Sequence, residues 1–207
     1  QKNDVVKTYD FSLPLMSLPY ILGMDSADQI KFDDAYLAIP LQKKVQIIPS
    51  RKLKIGLVWA GNPKHRNDRF RSVSLNEFEP LLELNCDFYS LQVGPAALDL
   101  NSLRVANKLI DLSPYINSYL DTANFIQNLD LLISVDTSII HLAGAMITPS
   151  WTLVPANADW RWCGQTKETI WYPKMHLYRQ KKLGQWANIF VSIKNDLKNL
   201  INHKRTI

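Results

Sequence analysis

An aspartate, two hydroxyls and a histidine stand together in SVDTSIIHLAGAM (134–146): Asp136, Thr137, Ser138 and His141. A strand-like apolar run ends at Asp136, and small residues follow His141, so the cluster marks a strand running into a helix. A helix start carries unpaired backbone N–H groups and the positive end of the helix dipole, which suits phosphate. Thr137 and Ser138 add hydroxyl donors, and His141, one turn beyond Ser138, shares its helical phase. Read structurally, Asp136 or Thr137 is an N-cap contributing ~1 kcal/mol, and His141 is a core histidine. At the carboxyl end of a strand, where open α/β sheets bind ligands, the group reads better as a cradle for an anion.

Other polar residues fall at similar junctions. In AGNPKHRNDRFRS (60–72), Gly61 lets backbone approach a ligand closely, and Arg66, Arg69 and Arg71 can reach phosphate oxygens bidentately. Taken alone, that segment is a basic surface loop. Gln92 and Gly94 end a later apolar run and carry little weight by themselves. ANADWRWCGQTKETIWYP (156–173) sets Trp160, Trp162 and Trp171 in an irregular segment, as a packed flap or a pocket wall, with Asp159 and Arg161 spaced for an ion pair. The two cysteines, Cys86 and Cys163, show neither CxxC nor Cys/His spacing, so neither a disulfide framework nor a zinc site is expected. There is no Asp-x-Asp metal motif.

The elements that must position these residues alternate in type. LKIGLVWA (53–60) is almost continuously apolar, as a central parallel strand buried on both faces requires. SLNEFEPLLEL (74–84) is expected to be helical, with Ser74 and Glu77 in capping-box spacing and Leu75, Phe78, Leu81 and Leu82 on one face. DFYSLQV (87–93) is the next strand, PAALDLNSLRVA (95–106) a helix opened by Pro95, and LIDLS (109–113) a short strand. Asp121 is expected to cap the helix TANFIQNLD, which runs into the strand LLISVD (131–136) and a helix over about 137–146. SWTLV (150–154) and MHLYRQ (175–180) complete the strands, and WANIFVSIKNDLKNLI (186–201) is a closing amphipathic helix. Repeated β–α units predict a doubly wound parallel sheet. The first fifty residues, with Pro14, Pro19, Pro40 and Pro49, lack this rhythm and read as the tail of a preceding domain plus a linker, residues 1–50, before a Rossmann-like lobe, 51–207. Its segment LPLMSLPYIL needs a covering surface.

Composition sets outer bounds. The 207 residues are 46% hydrophobic and 21% charged, ordinary for a globular protein, with no apolar run long enough for a membrane span. The N-terminal stretch has charges where a signal peptide has its apolar core, so a cytoplasmic location is expected. The net charge of +5 suits a phosphate-bearing ligand, and no nucleic-acid motif accompanies it. The cations of 198–205 read as a solvated helix end.

GLVWAGNPKHRNDRFRSVSL, SLQVG, DTANFIQNLDLLISVDTSIIHLAGA and DWRW…WYPKMHLYRQ, in that order, resemble the C-terminal half of a bacterial glycosyltransferase family. That family (family 9-like) resembles the ADP-heptose lipopolysaccharide heptosyltransferases and often follows tetratricopeptide repeats. PLMSLP resembles the end of its N-terminal half. The resemblance implies the C-terminal lobe of a GT-B fold, preceded by a short remnant of the N-terminal lobe and a linker. It implies a nucleotide-diphosphate sugar as donor, inverting transfer, and neither cofactor nor metal. The donor diphosphate would lie at Asp136, Thr137, Ser138 and His141, with Arg71 where heptosyltransferases carry a lysine and Ser138 where they usually carry glycine. Gly61, Asn62, Gln92 and Asp111 would frame the nucleotide. The catalytic base would belong to the N-terminal lobe, leaving this chain half an active site. The acceptor (glycan, lipid or protein) is left open. Either the missing lobe or a second copy would cover residues 11–22. The alternative reading is a non-catalytic nucleotide-binding or protein-interaction module derived from the same fold.

Overall fold

Pro14 and Pro19 stand at the starts of the two short elements described near the beginning of the chain. The computed structural model describes residues 8–26, 29, 34–40, 47, 50–102, 106–162, 164 and 166–205. It divides into two compact units, Gln1–Lys31 and Phe32–Ile207. In the first, a 3-10 turn (Leu15–Ser17) leads into a single turn of helix, α1 (Leu18–Ile21). Pro19 sits in its first turn, where a missing N–H costs nothing. Phe11 and Tyr20 are 88% and 85% exposed, so the apolar side chains here do not build a core of their own.

The second unit is a six-stranded sheet in the order β3-β2-β1-β4-β5-β6, with every pairing parallel. Its strands are β1 (Leu53–Val58), β2 (Cys86–Ser90), β3 (Leu109–Asp111), β4 (Leu131–Val135), β5 (Ser150–Val154) and β6 (Met175–Arg179). The helices are α2 (Asp68–Arg71), α3 (Glu79–Leu82), α4 (Tyr119–Ile126), α5 (Ser138–Ala145) and α6 (Ala187–Arg205). Side chains alternate across β1, so Leu53, Ile55 and Leu57 enter one core while Val58 enters the other. The first core packs α3 and α6 on the sheet through Leu81, Leu82, Ile189, Phe190 and Ile193, with Phe78 edge-on to Phe190 at 4.7 Å. On the opposite face, α4 and α5 pack through Phe125, Ile126, Ile139, Ile140 and Ala143. Helices on both faces of a parallel sheet make this the doubly wound, Rossmann-like lobe expected from the sequence.

Several elements differ locally from the expected pattern. The segment after Ser74 is a 3-10 turn (Leu75–Phe78) followed by the one-turn α3, with Pro80 in the first turn of α3. Ser74 accepts from the Asn76 N–H rather than closing a box with Glu77, yet Leu75, Phe78, Leu81 and Leu82 are all buried as the spacing requires. Residues 95–102 form 3-10 turns instead of an α-helix. The rest of that expected helix, 103–105, lies outside the described residues, as does Cys163. Ser118, not Asp121, caps α4. Ser118 Oγ accepts from the Asp121 N–H at 3.2 Å, while the Asp121 carboxylate accepts from Ser118 Oγ and the Asn117 N–H. That arrangement is similar to a capping box, with Asp in the third position taking the Asn117 N–H in place of the N-cap's own. Among the described residues, no helix is long and apolar enough to cross a membrane.

Candidate functional site: a cleft at the sheet's switch point

The strand order reverses between β1 and β4, so the chains leaving their carboxyl ends diverge and open a crevice. A cleft of ≈ 760 Å³ occupies that position. Its wall is built from the turn after β1 (Ala60, Gly61, Asn62), the turn after β2 (Gln92, Val93, Gly94), the start of α4 and the start of α5. Gly94 has φ +76, a left-handed conformation that favours glycine at this turn.

The start of α5 is open to this cleft. Thr137 is its N-cap with extended backbone, φ −138 and ψ 171, but its side chain makes no capping bond. Instead Thr137 Oγ1 lies 3.5 Å from Ser134 Oγ, beneath the cleft floor. The N-cap side chain therefore supplies no acceptor to the first N–H groups of α5, of which that of Ile140 donates to the Thr137 carbonyl at 3.2 Å. Ser138 stands at the mouth, where its Oγ accepts from the Tyr119 hydroxyl at 2.9 Å.

Arg71 brings positive charge to the same wall. Its Nη1 donates to the Asp136 carbonyl at 2.8 Å, and its Nε to Asp68 Oδ1 at 3.2 Å. Those contacts use two of the five guanidinium donors and fix the plane of the rest. A Cβ on Gly61 would come within 2.6 Å of Arg71 Nη2 and 2.5 Å of Asp68 Oδ1, so glycine lets the turn lie against this pair. The Gly61 N–H donates to Ser72 Oγ, which in turn donates to Asp68 Oδ2, tying the loop to the ion pair.

Gln92 lines the cleft and helps to build it. Its Oε1 accepts from the Trp59 and Ala60 N–H groups at 3.1 and 2.9 Å, and its Nε2 donates to the Val93 carbonyl. Asp111 does not line the cleft: it accepts from the Ser113 N–H and hydroxyl in an exposed turn. Asp136 and His141 are also absent from the lining. His141 points instead into the irregular segment 155–172, stacked on Trp162 at 5.1 Å and 12°, with Nδ1 3.0 Å from the Tyr172 hydroxyl. Its Nε2 lies 3.7 Å from Asp136 Oδ1. Burial strips hydration from the imidazolium and holds the His141 pKa below the usual 6.5, against the opposing pull of Asp136. Tyr172 is also bonded to Tyr36, and burial first, then Tyr36, pushes its phenol up.

The structure thus gathers Gly61, Asn62, Arg71, Gln92, Thr137 and Ser138 at one cleft, with Asp136 and His141 behind it. Sequence reading missed the contribution of α4, namely Asn117, Ser118 and Tyr119. The Ser118/Asp121 box spacing was the available clue. Of the tryptophans, Trp162 is buried core, while Trp160 is 53% exposed beneath the Arg161 guanidinium at 4.5 Å. Arg161 also pairs with Asp159 at 2.8 Å. Cys86 is a buried thiol whose pKa burial pushes up to about 11, which makes it a poor nucleophile.

Two solved structures share this fold. Escherichia coli ADP-heptose LPS heptosyltransferase II matches with a TM-score of 0.54 and 12% identity, over 76% of this chain and 49% of that one. E. coli heptosyltransferase WaaC, solved with ADP-2-deoxy-2-fluoro heptose, matches with a TM-score of 0.53 and 15% identity, over 76% of this chain and 46% of that one. The match therefore spans about half the length of these enzymes, and at such identities the likeness is one of fold. No family model and no curated protein matches the sequence. The chain has a glycosyltransferase-like fold.

Proposed function

We propose that this lobe binds the nucleotide-diphosphate sugar of a GT-B glycosyltransferase, with the diphosphate at the mouth of α5. The observation that carries the reading is the uncapped start of α5, which opens beside Arg71 onto the switch-point cleft. Arg71, Ser138 and the first N–H groups of α5 meet the phosphates, and Thr137 shapes the floor. Gly61, Asn62 and Gln92 form the wall on the nucleotide side. During transfer the nucleoside diphosphate leaves with growing negative charge, and fixed donors aimed at that charge lower the barrier. In this reading Arg71 and the helix dipole do that work without a metal ion, transfer is inverting, and the base that takes the acceptor's proton comes from another lobe. An ADP-sugar analogue in the WaaC structure makes ADP the first donor class to try.

The test is calorimetric titration of the full chain with ADP, UDP and GDP, without and then with Mg²⁺. One of them should bind in the absence of metal. Arg71→Ala should then weaken that binding about tenfold or more, and Arg71→Lys less, because lysine keeps the charge but not the fork. Failure of all three to bind the wild-type chain would overturn the reading. A non-catalytic interaction module is the second reading, favoured by the exposed apolar side chains of residues 11–22. That segment would then be covered by a second copy or by another lobe.

A further inference from the structure

The carboxylate of Asp136 poses a problem for any anion bound at the start of α5. Asp136 immediately precedes the N-cap, so its charge stands within a residue of the donors that a phosphate needs. At such range, a facing carboxylate and phosphate repel by an amount that grows as water is excluded. The structure resolves this by direction. The Asp136 side chain is 13% exposed, is absent from the cleft wall, and turns its Oδ1 towards His141 Nε2 at 3.7 Å. Only its backbone carbonyl serves the cleft, where it holds Arg71.

His141 is in turn fixed from behind. The Tyr172 hydroxyl sits on Nδ1, the Trp162 ring stacks on the imidazole, and the Tyr172 ring presses on Gly144, where a Cβ would meet it. One hydrogen is shared between the Tyr172 hydroxyl and Nδ1; with the phenol as its donor, the imidazole's own proton sits on Nε2, the nitrogen that faces Asp136. The charged neighbours of this imidazole are Asp136, Asp159 and Arg161, and the last two pair with each other.

We infer that His141, braced by Tyr172, is a positioning residue that keeps the Asp136 carboxylate out of the cleft, so that phosphates meet Arg71 and α5 without a facing negative charge. This rests on the diphosphate reading above and assigns His141 an indirect part in it. Removing His141 frees the carboxylate to swing towards the helix start, where it competes with phosphate for the same donors.

The distinguishing experiment is suppression. Titrated with whichever of ADP, UDP and GDP binds the wild-type chain, His141→Ala should weaken affinity about tenfold, and the isosteric Tyr172→Phe about threefold. Inorganic pyrophosphate should show the same order. Asp136→Asn removes the competing charge, so adding it to either variant should restore affinity to within about twofold of Asp136→Asn alone. If His141→Ala and Tyr172→Phe leave affinity unchanged while the wild-type chain binds, the inference is wrong and the diphosphate reading survives. If they weaken binding and Asp136→Asn does not restore it, their effect is mere packing and the inference is again wrong. If the wild-type chain binds no diphosphate, both fall together.

Discussion

A half-buried histidine whose pKa is held down leaves a mark on stability. Burial holds the pKa of His141 below 6.5, and the same cause, followed by the repulsion of Lys167, lowers that of His176. In the unfolded chain both imidazoles titrate near the ordinary value. Between the folded value and 6.5 the unfolded state therefore holds more protons than the folded one. Stability present above pH 6.5 is lost as pH falls through that window. Thermal melts taken from about pH 7.5 down to about pH 5 should show a falling midpoint in the wild-type chain. In His141→Gln the fall should be smaller, the remainder belonging to His176. An identical fall in both proteins would mean that His141 does not titrate there. At the same scale, the contrast between Gln92 and Arg71 is instructive. Both line the cleft, but Gln92 spends its amide oxygen on the backbone around it, whereas the Asp68 and Asp136 contacts of Arg71 use only two of its five donors.

Among the elements, α5 carries opposed demands under the proposed reading: its start stays open while its body packs tightly. Gly144 meets the second demand, but not against the sheet. A Cβ there would strike the Tyr172 ring, so the thin point of the helix accepts the irregular segment that braces His141. Gly144→Ala should therefore destabilise the lobe by about 1–3 kcal/mol, the usual cost of overpacking, in urea unfolding. An unchanged midpoint would show that Tyr172 yields without loss. The strands β1, β4 and β5 were readable because buried parallel strands must be apolar in nearly every position. LKIGLVWA and SWTLV have no other use. Caps and turns were less readable: Ser118 and Asp121 both have capping chemistry, and only the extended backbone of Ser118 decides which one serves. For the site, sequence spacing brought Asp136, Thr137, Ser138 and His141 to one junction. Helical phase alone aimed His141 and Ser138 the same way, although Tyr172 and Trp162, remote in sequence, draw the imidazole aside. Tyr119 escaped notice because its place at the cleft depends on how α4 packs on α5, which no local pattern encodes.

At the scale of the whole lobe, the cleft lies over a seam. The strands β3, β2 and β1 stand on one side and β4, β5 and β6 on the other, joined where Ile55 pairs with Leu131 and Val58 with Ser134. The wall draws Gly61, Arg71 and Gln92 from the first half and Thr137 and Ser138 from the second. Arg71 already crosses the seam by holding the Asp136 carbonyl. A diphosphate bound there contacts both halves at once and exists only where they are assembled, so the unfolded chain has no comparable site. Linkage then requires the ligand to stabilise the fold, by about 2.7 kcal/mol when present at about 100 times its dissociation constant. Thermal midpoints should climb steadily with the concentration of the nucleoside diphosphate that calorimetry selects. In Arg71→Ala the same climb should begin only at about tenfold higher concentration, because the shift depends on concentration relative to affinity. A ligand that binds by calorimetry but leaves the midpoint fixed at every concentration must bind folded and unfolded chains alike. That result would place it away from the seam, on a surface that needs no fold.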